Sequence, residues 1–456
     1  LFLNIFIKKQ RGLAGMATLL LLLVAGIVAT TIYFASATRA RLASEQITAD
    51  ALAQAKEALI GYAAAVNTSG LPGVPPPPNP RPGELPCPNL ALTAGEPNGI
   101  ATTPCSPLSA RIGYFPWKTL GIPPLRDGSG NLLWYAVSDT FKNNPRTSGS
   151  VLNSDTLGDF AITGSAPANT VIAIVFAPGK VTGAQDRDNT VATCATTNAS
   201  APRKLCAAHF LEGENANGPT PDNTFETGLP TDSFNDRLLP ITSDALFSVV
   251  NVRVAKEAIT ALENYRAASG YYPFANAYGS IAPYNCSSGM LRGRFPITTA
   301  GPPCNQASWP LFPNNLPSWF SENNWNIVTH YAISKACGEI TGLGGFGLEG
   351  IVSGLLCGLP LNIGIVNTIL GIFGFSFADE PLSVAAVTGG GDTRVLVIVS
   401  GRALGLQTHS CTTPADCMED GANSDGNANY VKPSRFPASN DRMALCSPSA
   451  PCPAVP

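Results

Sequence analysis

The side chains in this sequence best suited to chemistry are twelve cysteines, three histidines and a scatter of carboxylates. The cysteines fall into neighbouring couples: Cys87 with Cys105, Cys194 with Cys206, Cys286 with Cys304, Cys337 with Cys357, Cys411 with Cys417 and Cys446 with Cys452. An even number in close couples reads as local disulfides made in an oxidising compartment. Spacing does not fix connectivity, so adjacency is the only basis for these pairings. Zinc is disfavoured, because no CxxC occurs and His209, His330 and His409 lack ligand spacing. No GxSxG, HExxH, Walker loop or post-strand GxGxxG is present, so no catalytic residue is assigned and an enzyme is not expected. Asp236–Arg237 and Asp441–Arg442 recur and read as a structural ion pair or turn, while Glu212 and Asp127 have no carboxylate partner visible in the sequence.

Calcium is the one cation the pattern suggests, and no other cofactor is expected. The stretch EDGANSDGNANY offers Asp420, Asn423, Asp425 and Asn427 as closely spaced oxygen donors, with glycines that permit a tight loop. The register departs from the EF-hand pattern, and Asx/Gly-rich loops also form plain turns. Asp186 and Asp188 are a fainter echo upstream. A formal net charge of −3, with no basic cluster in the body, argues against nucleic acid as a partner.

These groups must be held by a scaffold, and the scaffold begins with a membrane segment. Lys8, Lys9 and Arg11 precede an uncharged run from Leu13 to Thr38 that is long enough for a ~30 Å hydrocarbon layer. Residues 39–66 continue with helix-forming composition and no proline, and Leu42, Ile47, Leu52, Ala55, Leu59 and Tyr62 form an apolar stripe. One helix from Leu13 to Val66, about 80 Å long, is predicted, half in lipid and half on the body. Pro72 and the PPPPNPRP run end it. The basic leader stays inside, so the body faces outward from the inner membrane, in the periplasm or beyond.

A short basic leader ending in Gly12, an immediate apolar run and a long helix leading into a cysteine-bearing body resemble the type IV pilin-like family, which includes type II secretion pseudopilins. The resemblance implies cleavage between Gly12 and Leu13 by a prepilin peptidase, and packing of the N-terminal helix against those of other pilin-like subunits. The family usually carries Glu at the fifth mature position, where this chain has Ala17. The large tip-located pseudopilin similarly lacks that Glu, so the resemblance implies a minor or tip component.

The body reads as a duplication. AKEALIGY (55–62) recurs as AKEAITAL (255–262), GELPCPN (83–89) as GYYPFAN (270–276), and RIGYFP (111–116) as LRGRFP (291–296). LLWYAVS (132–138) answers VTHYAIS (328–334), so that His330 stands in place of Trp134. VIAIVFAPGKVTGAQ (171–185) answers VLVIVSGRALGLQ (395–407), LEGEN (211–215) answers EDGAN (419–423), and FNDRLL (234–239) answers SNDRMA (439–444). The second copy opens with a helix whose apolar face is Phe247, Val250, Val254, Ala258, Leu262 and Tyr265, with Ser243 or Asp244 as N-cap. Strands are predicted at 132–138, 170–177, 328–334, 382–387 and 394–400.

The predicted fold is α+β: a long N-terminal transmembrane helix followed by two tandem, diverged, pilin-like units of helix plus antiparallel sheet. The divisions are a leader (1–12), the helix (13–66), a first unit (67–241) and a second unit (242–456) with an apolar Gly-rich insertion at 338–377. Within it Gly350–Phe377 is uncharged; its glycines, Pro360, Asn362 and Asn367 favour a buried segment, with a second membrane pass or an exposed docking patch as alternatives. The function expected is structural: a minor pilin or pseudopilin-like part of a type IV pilus or type II secretion filament, at the tip or in priming. The alternative is a membrane-anchored adhesin or ligand-binding protein outside any filament.

Overall fold

One helix, α1 (Phe2–Ala65), carries the chain from the leader into the body without a break. It starts ahead of Leu13 because nothing in the leader except Gly12 opposes helix, and no proline occurs before residue 72. The computed structural model describes residues 2–65, 80–146, 149–163, 170–194, 201–219, 222–279, 290–297, 316–338, 357, 382–385, 393–405, 407–433, 439–447 and 450–454. Cys286 and Cys304 both lie outside the described residues, as does nearly all of the 338–377 insertion.

In chain order the further elements begin with the strands β1 (Leu92–Thr93), β2 (Glu96–Pro97), β3 (Ile112–Tyr114), β4 (Trp134–Val137), β5 (Ala161–Thr163) and β6 (Val171–Ala177). Then follow α2 (Gly213–Asn217), β7 (Thr224–Glu226), β8 (Arg237–Thr242) and α3 (Ser243–Ser269). The remainder comprises β9 (Arg292–Arg294), α4 (Ser318–Glu322), β10 (Thr329–Ile333), β11 (Ser383–Ala385), β12 (Val395–Val399), α5 (Gly421–Ser424), β13 (Asn429–Val431), β14 (Arg442–Ser447) and β15 (Ala450–Ala454). All five strands predicted from composition are present.

Two antiparallel sheets form the body, one ordered β3-β4-β6-β8 and the other β15-β14-β12-β10-β9. Their registers correspond. Gly113 faces Tyr135 in the first sheet, and Gly293 faces Tyr331 in the second. Asn89 exchanges both backbone hydrogen bonds with Tyr114, and Asn276 does the same with Arg294. Each sheet is flanked by a short parallel pair, β5–β7 or β11–β13. The matched β6 and β12 segments align with a shift: Tyr135 pairs Val175 while Tyr331 pairs Val397, so Ala173, not Val171, corresponds to Val395. A two-residue shift preserves the in–out alternation of a strand and is silent in a sequence pattern.

The helices lie inside. Ala51, Leu52, Ala55, Leu59 and Ala63 of α1 are buried against the first sheet, and the alanines among them let the helix approach closely. Leu42 and Ile47, predicted to belong to this stripe, are exposed; packing begins one turn later. Helix α3 buries all six predicted positions and also Ala255 and Ile259, because it packs on the second sheet and on α1. Its N-cap is Thr242, one residue before the predicted pair; the Thr242 hydroxyl accepts from the Ala245 N–H at 3.3 Å. Gly270, at φ 90°, ends the helix by donating to the Arg266 carbonyl.

Outside the helix layer each sheet buries its other face as well. Trp134, Phe160, Phe176, Phe210 and Phe225 cover the first sheet, and Leu382, Val384, Met418 and Tyr430 pack with Leu396, Ile398, Met443 and Leu445 of the second. Buried Asn323, beside α4, ties the halves together. Its side-chain oxygen accepts from Arg81 and from the Leu152 N–H, and its carbonyl accepts from Asn153.

Candidate functional site

The outer half of α1 is long and apolar enough to cross a membrane. Met16, Leu19 to Val24, Ile27, Val28, Ile32, Tyr33 and Phe34 are all exposed, and no residue of its most apolar window is buried. The hydroxyls of Thr30, Thr31, Ser36 and Thr38 donate to carbonyls three or four residues earlier, so the helix itself satisfies these polar groups. Gly12 and Leu13, the expected processing site, are both in helical backbone. Ala17 is exposed.

Where α1 enters the body, a loop meets it backbone to backbone. The Gly128 N–H donates to Thr48 Oγ1 at 2.9 Å, and a Cβ at Gly128 would lie 2.0 Å from the Ser44 carbonyl oxygen. At the inner end, Arg253 of α3 donates to the carbonyls of Ala64 and Ala65, and the Gly83 N–H donates to Ala63. A helix leaves its last carbonyls without partners, and a guanidinium there also complements the negative end of the dipole. The stalk is thus fastened to both sheets' helix layer.

Five of the expected cysteine couples are close in space. Cys87–Cys105, Cys194–Cys206, Cys337–Cys357, Cys411–Cys417 and Cys446–Cys452 form disulfides with Cα separations between 4.7 and 5.8 Å. The sixth expected couple, Cys286 and Cys304, is not among these bonds, because Cys286 and Cys304 lie outside the described residues. Among the described residues no cysteine is free. Local disulfides of this kind are compatible with a body in an oxidising compartment.

Three of the suggested calcium donors, Asn423, Asp425 and Asn427, accept local backbone hydrogen bonds. Asp420 is the N-cap residue of α5, and Asn423 is buried with its oxygen on the Val431 N–H at 2.8 Å. Asp425 accepts from the Asn427 N–H at 3.0 Å, and Asn427 in turn accepts from the Asn429 N–H. These are successive Asx turns.

The three histidines are far apart in role. His209 Nδ1 accepts from the Asp186 N–H, and burial lowers its pKa. His409 lies against Asp155. His330 is buried in β10 between the hydroxyls of Tyr278 and Tyr430, and burial, then the nearby Arg292, pushes its pKa down to about 3. It is a neutral hydrogen-bonding link in the core.

Asp236 and Asp441 correct the sequence reading. Among the described residues neither carboxylate forms an ion pair with its neighbouring arginine, which leaves the turn of the two alternatives; each is buried beside a second carboxyl, Glu212 or Glu419. Burial and then the Glu212 charge push Asp236 up to about 8. Burial and Glu419 raise Asp441 in the same way. The sequence hid these pairs because their members are far apart along the chain, and because Glu419 stands one residue before the position that matches Glu212. Asp127 is buried with its carboxylate on the N–H groups of Ser129, Asn131 and Gly179, organising a turn.

Comparison with protein-family models, with curated proteins and with solved structures gave no match to this chain.

Proposed function

We propose that this chain is a large minor pilin-like or pseudopilin-like subunit, cleaved after Gly12 by a prepilin peptidase, that primes or tips a type IV pilus or type II secretion filament. The observation that carries the reading is α1 itself. Its first half is bare and apolar, and its second half is the spine of the body, with no break between them. An anchor joined by a flexible linker would hold a domain near a membrane. A rigid continuous rod transmits position and force from a helix bundle into a folded head.

Three further features support the reading. Exposed Leu42 and Ile47 leave apolar surface on the rod between the lipid span and the body, available to neighbouring helices. Ala17 stands where a carboxylate would have needed a charge partner in lipid, so joining by that ion pair is not required of this subunit. The two sheets, each backed by its own helix, read as tandem diverged pilin-like heads, and so broad a body fits best where no subunit must pack above it. Localisation follows as inner membrane before assembly, with a periplasmic or extracellular body.

Immunogold labelling of filaments tests the position: label confined to ends supports it, and even label along shafts contradicts it. Deleting the gene separates assembly from adhesion. Lost piliation or secretion is expected, whereas normal filaments with lost attachment would favour the anchored adhesin.

A further inference from the structure

The carboxyl pairs occupy one place in both halves, where the loop carrying α2 or α5 meets the start of β8 or β14. In the first half Glu212 receives four donors. Thr182 Oγ1 and Gln185 Nε2 reach Oε1 at 2.8 Å, and the N–H groups of Asn235 and Asp236 reach Oε2 at 2.9 and 3.1 Å. That set saturates the lone pairs of an ionised carboxylate. Asp236 is supplied differently. Its Oδ2 accepts from the Glu212 N–H at 2.9 Å and from Asn215 Nδ2 at 3.1 Å, but its buried Oδ1 has no donor. An ionised oxygen buried without a donor carries its full desolvation penalty. A proton on Oδ1 removes that penalty and the like-charge repulsion from Glu212.

We propose that Asp236 is held as a neutral acid at neutral pH beside ionised Glu212, and that its protonation lets the start of β8 stay latched to the α2 loop through the Glu212 and Asn215 donors to Oδ2. The surrounding charges leave that proton its role. Arg187 spends its N–H groups on the carbonyls of Pro178, Gly179, Lys180, His209 and Phe210 and on Gln185. Asp127 is committed to its own turn, and Glu226 accepts from the Glu214 N–H at the exposed end of α2. A divalent cation would answer the same charge, but Glu212's lone pairs already face hydrogen-bond donors.

The second half repeats the buried Asp–Glu pair with a glutamate from a different position and fewer donors. Asp441 Oδ1 accepts from the Gly401 N–H at 3.2 Å and Glu419 Oε2 from the Ser439 hydroxyl at 2.9 Å, while Asp441 Oδ2 and Glu419 Oε1 are both buried without donors. The glutamate has moved one position along the chain, yet the acid pair is retained. The pair, not the residue, is what the fold needs.

The test is denaturant unfolding of the full chain in detergent micelles, between about pH 5 and 8, for wild type, Asp236→Asn and Glu212→Gln. Asn keeps the shape of Asp and is neutral at every pH in this range. The ratio of wild-type to Asp236→Asn unfolding constants is expected to rise about tenfold per pH unit until pH nears 8, with or without a chelator. Glu212→Gln, which removes the like charge, moves that slope to lower pH. Parallel wild-type and Asp236→Asn curves, an unmoved slope in Glu212→Gln, or a difference abolished by chelator would overturn the proposal. Should Asp236→Asn fail to fold, infrared spectra of wild type and Asp441→Asn at neutral pH decide: a protonated-carboxyl carbonyl band that persists in Asp441→Asn is expected, and its absence there contradicts the latch.

Discussion

Arg253 of α3 donates to the carbonyl of Ala65, the last residue of α1, at 2.7 Å. The residue that closes the long N-terminal helix therefore belongs to the second half of the chain. Arg253→Ala leaves two helix-end carbonyls without this donor and removes a favourable charge at the dipole's negative end. A loss of about 1–2 kcal/mol in unfolding free energy is expected, with Arg253→Lys recovering part of it. Denaturant titration of the full chain in micelles measures both.

The collar around the stalk gives a second expectation. A methyl group at Gly128 would collide with the Ser44 carbonyl, which is backbone and has nowhere to go. Gly128→Ala should push the 126–131 loop away and break the Gly128–Thr48 hydrogen bond, destabilising the body by about 1–3 kcal/mol. Faster amide exchange confined to this loop and to α1 near Thr48 is the expected signature.

His330 sets the acid side of the stability curve. Its pKa is about 3 in the folded protein against about 6.5 unfolded, so the neutral form is favoured by folding. Its contribution is fully present above pH ~6.5 and is lost as pH falls toward 3, at up to ~1.4 kcal/mol per pH unit. His330→Gln should flatten the acid limb in a denaturation series from about pH 7 to pH 3. Asp236 acts in the opposite sense. Its raised pKa gives stability that is complete below about pH 4 and declines as pH rises through 8.

Disulfide removal should track loop length. Cys87–Cys105 closes a separation of 18 residues and Cys446–Cys452 one of 6. Paired alanine substitutions should cost about 3 and about 2 kcal/mol respectively on the chain-entropy account, read from unfolding of the two variants under non-reducing conditions.

Much of this scaffold was legible in the residues. The uncharged run after Arg11, the cysteine couples other than Cys286 with Cys304, and the strand cores around Tyr135, Ile174, Tyr331 and Val397 each announce themselves through composition or period. Strands β3, β8, β9 and β14 did not: β3 and β9 are short and contain Gly113 or Gly293, β8 carries Pro240, and β8 and β14 each open on an arginine, so neighbours hold them more than propensity does. The exposure of Leu42 and Ile47 was equally invisible, since an apolar stripe does not say how far the partner surface extends. The acid pairs required the fold to bring Glu212 to Asp236, and the matched motifs placed the second glutamate one residue out of line.

The proposed entry of α1 into a filament depends on processing next to Gly12. Mass spectrometry of the N-terminal peptide from protein purified from its native membrane tests this most directly. The account requires a mature chain beginning at N-methylated Leu13. A leader still attached, or a cut elsewhere such as beyond Phe34, would contradict it.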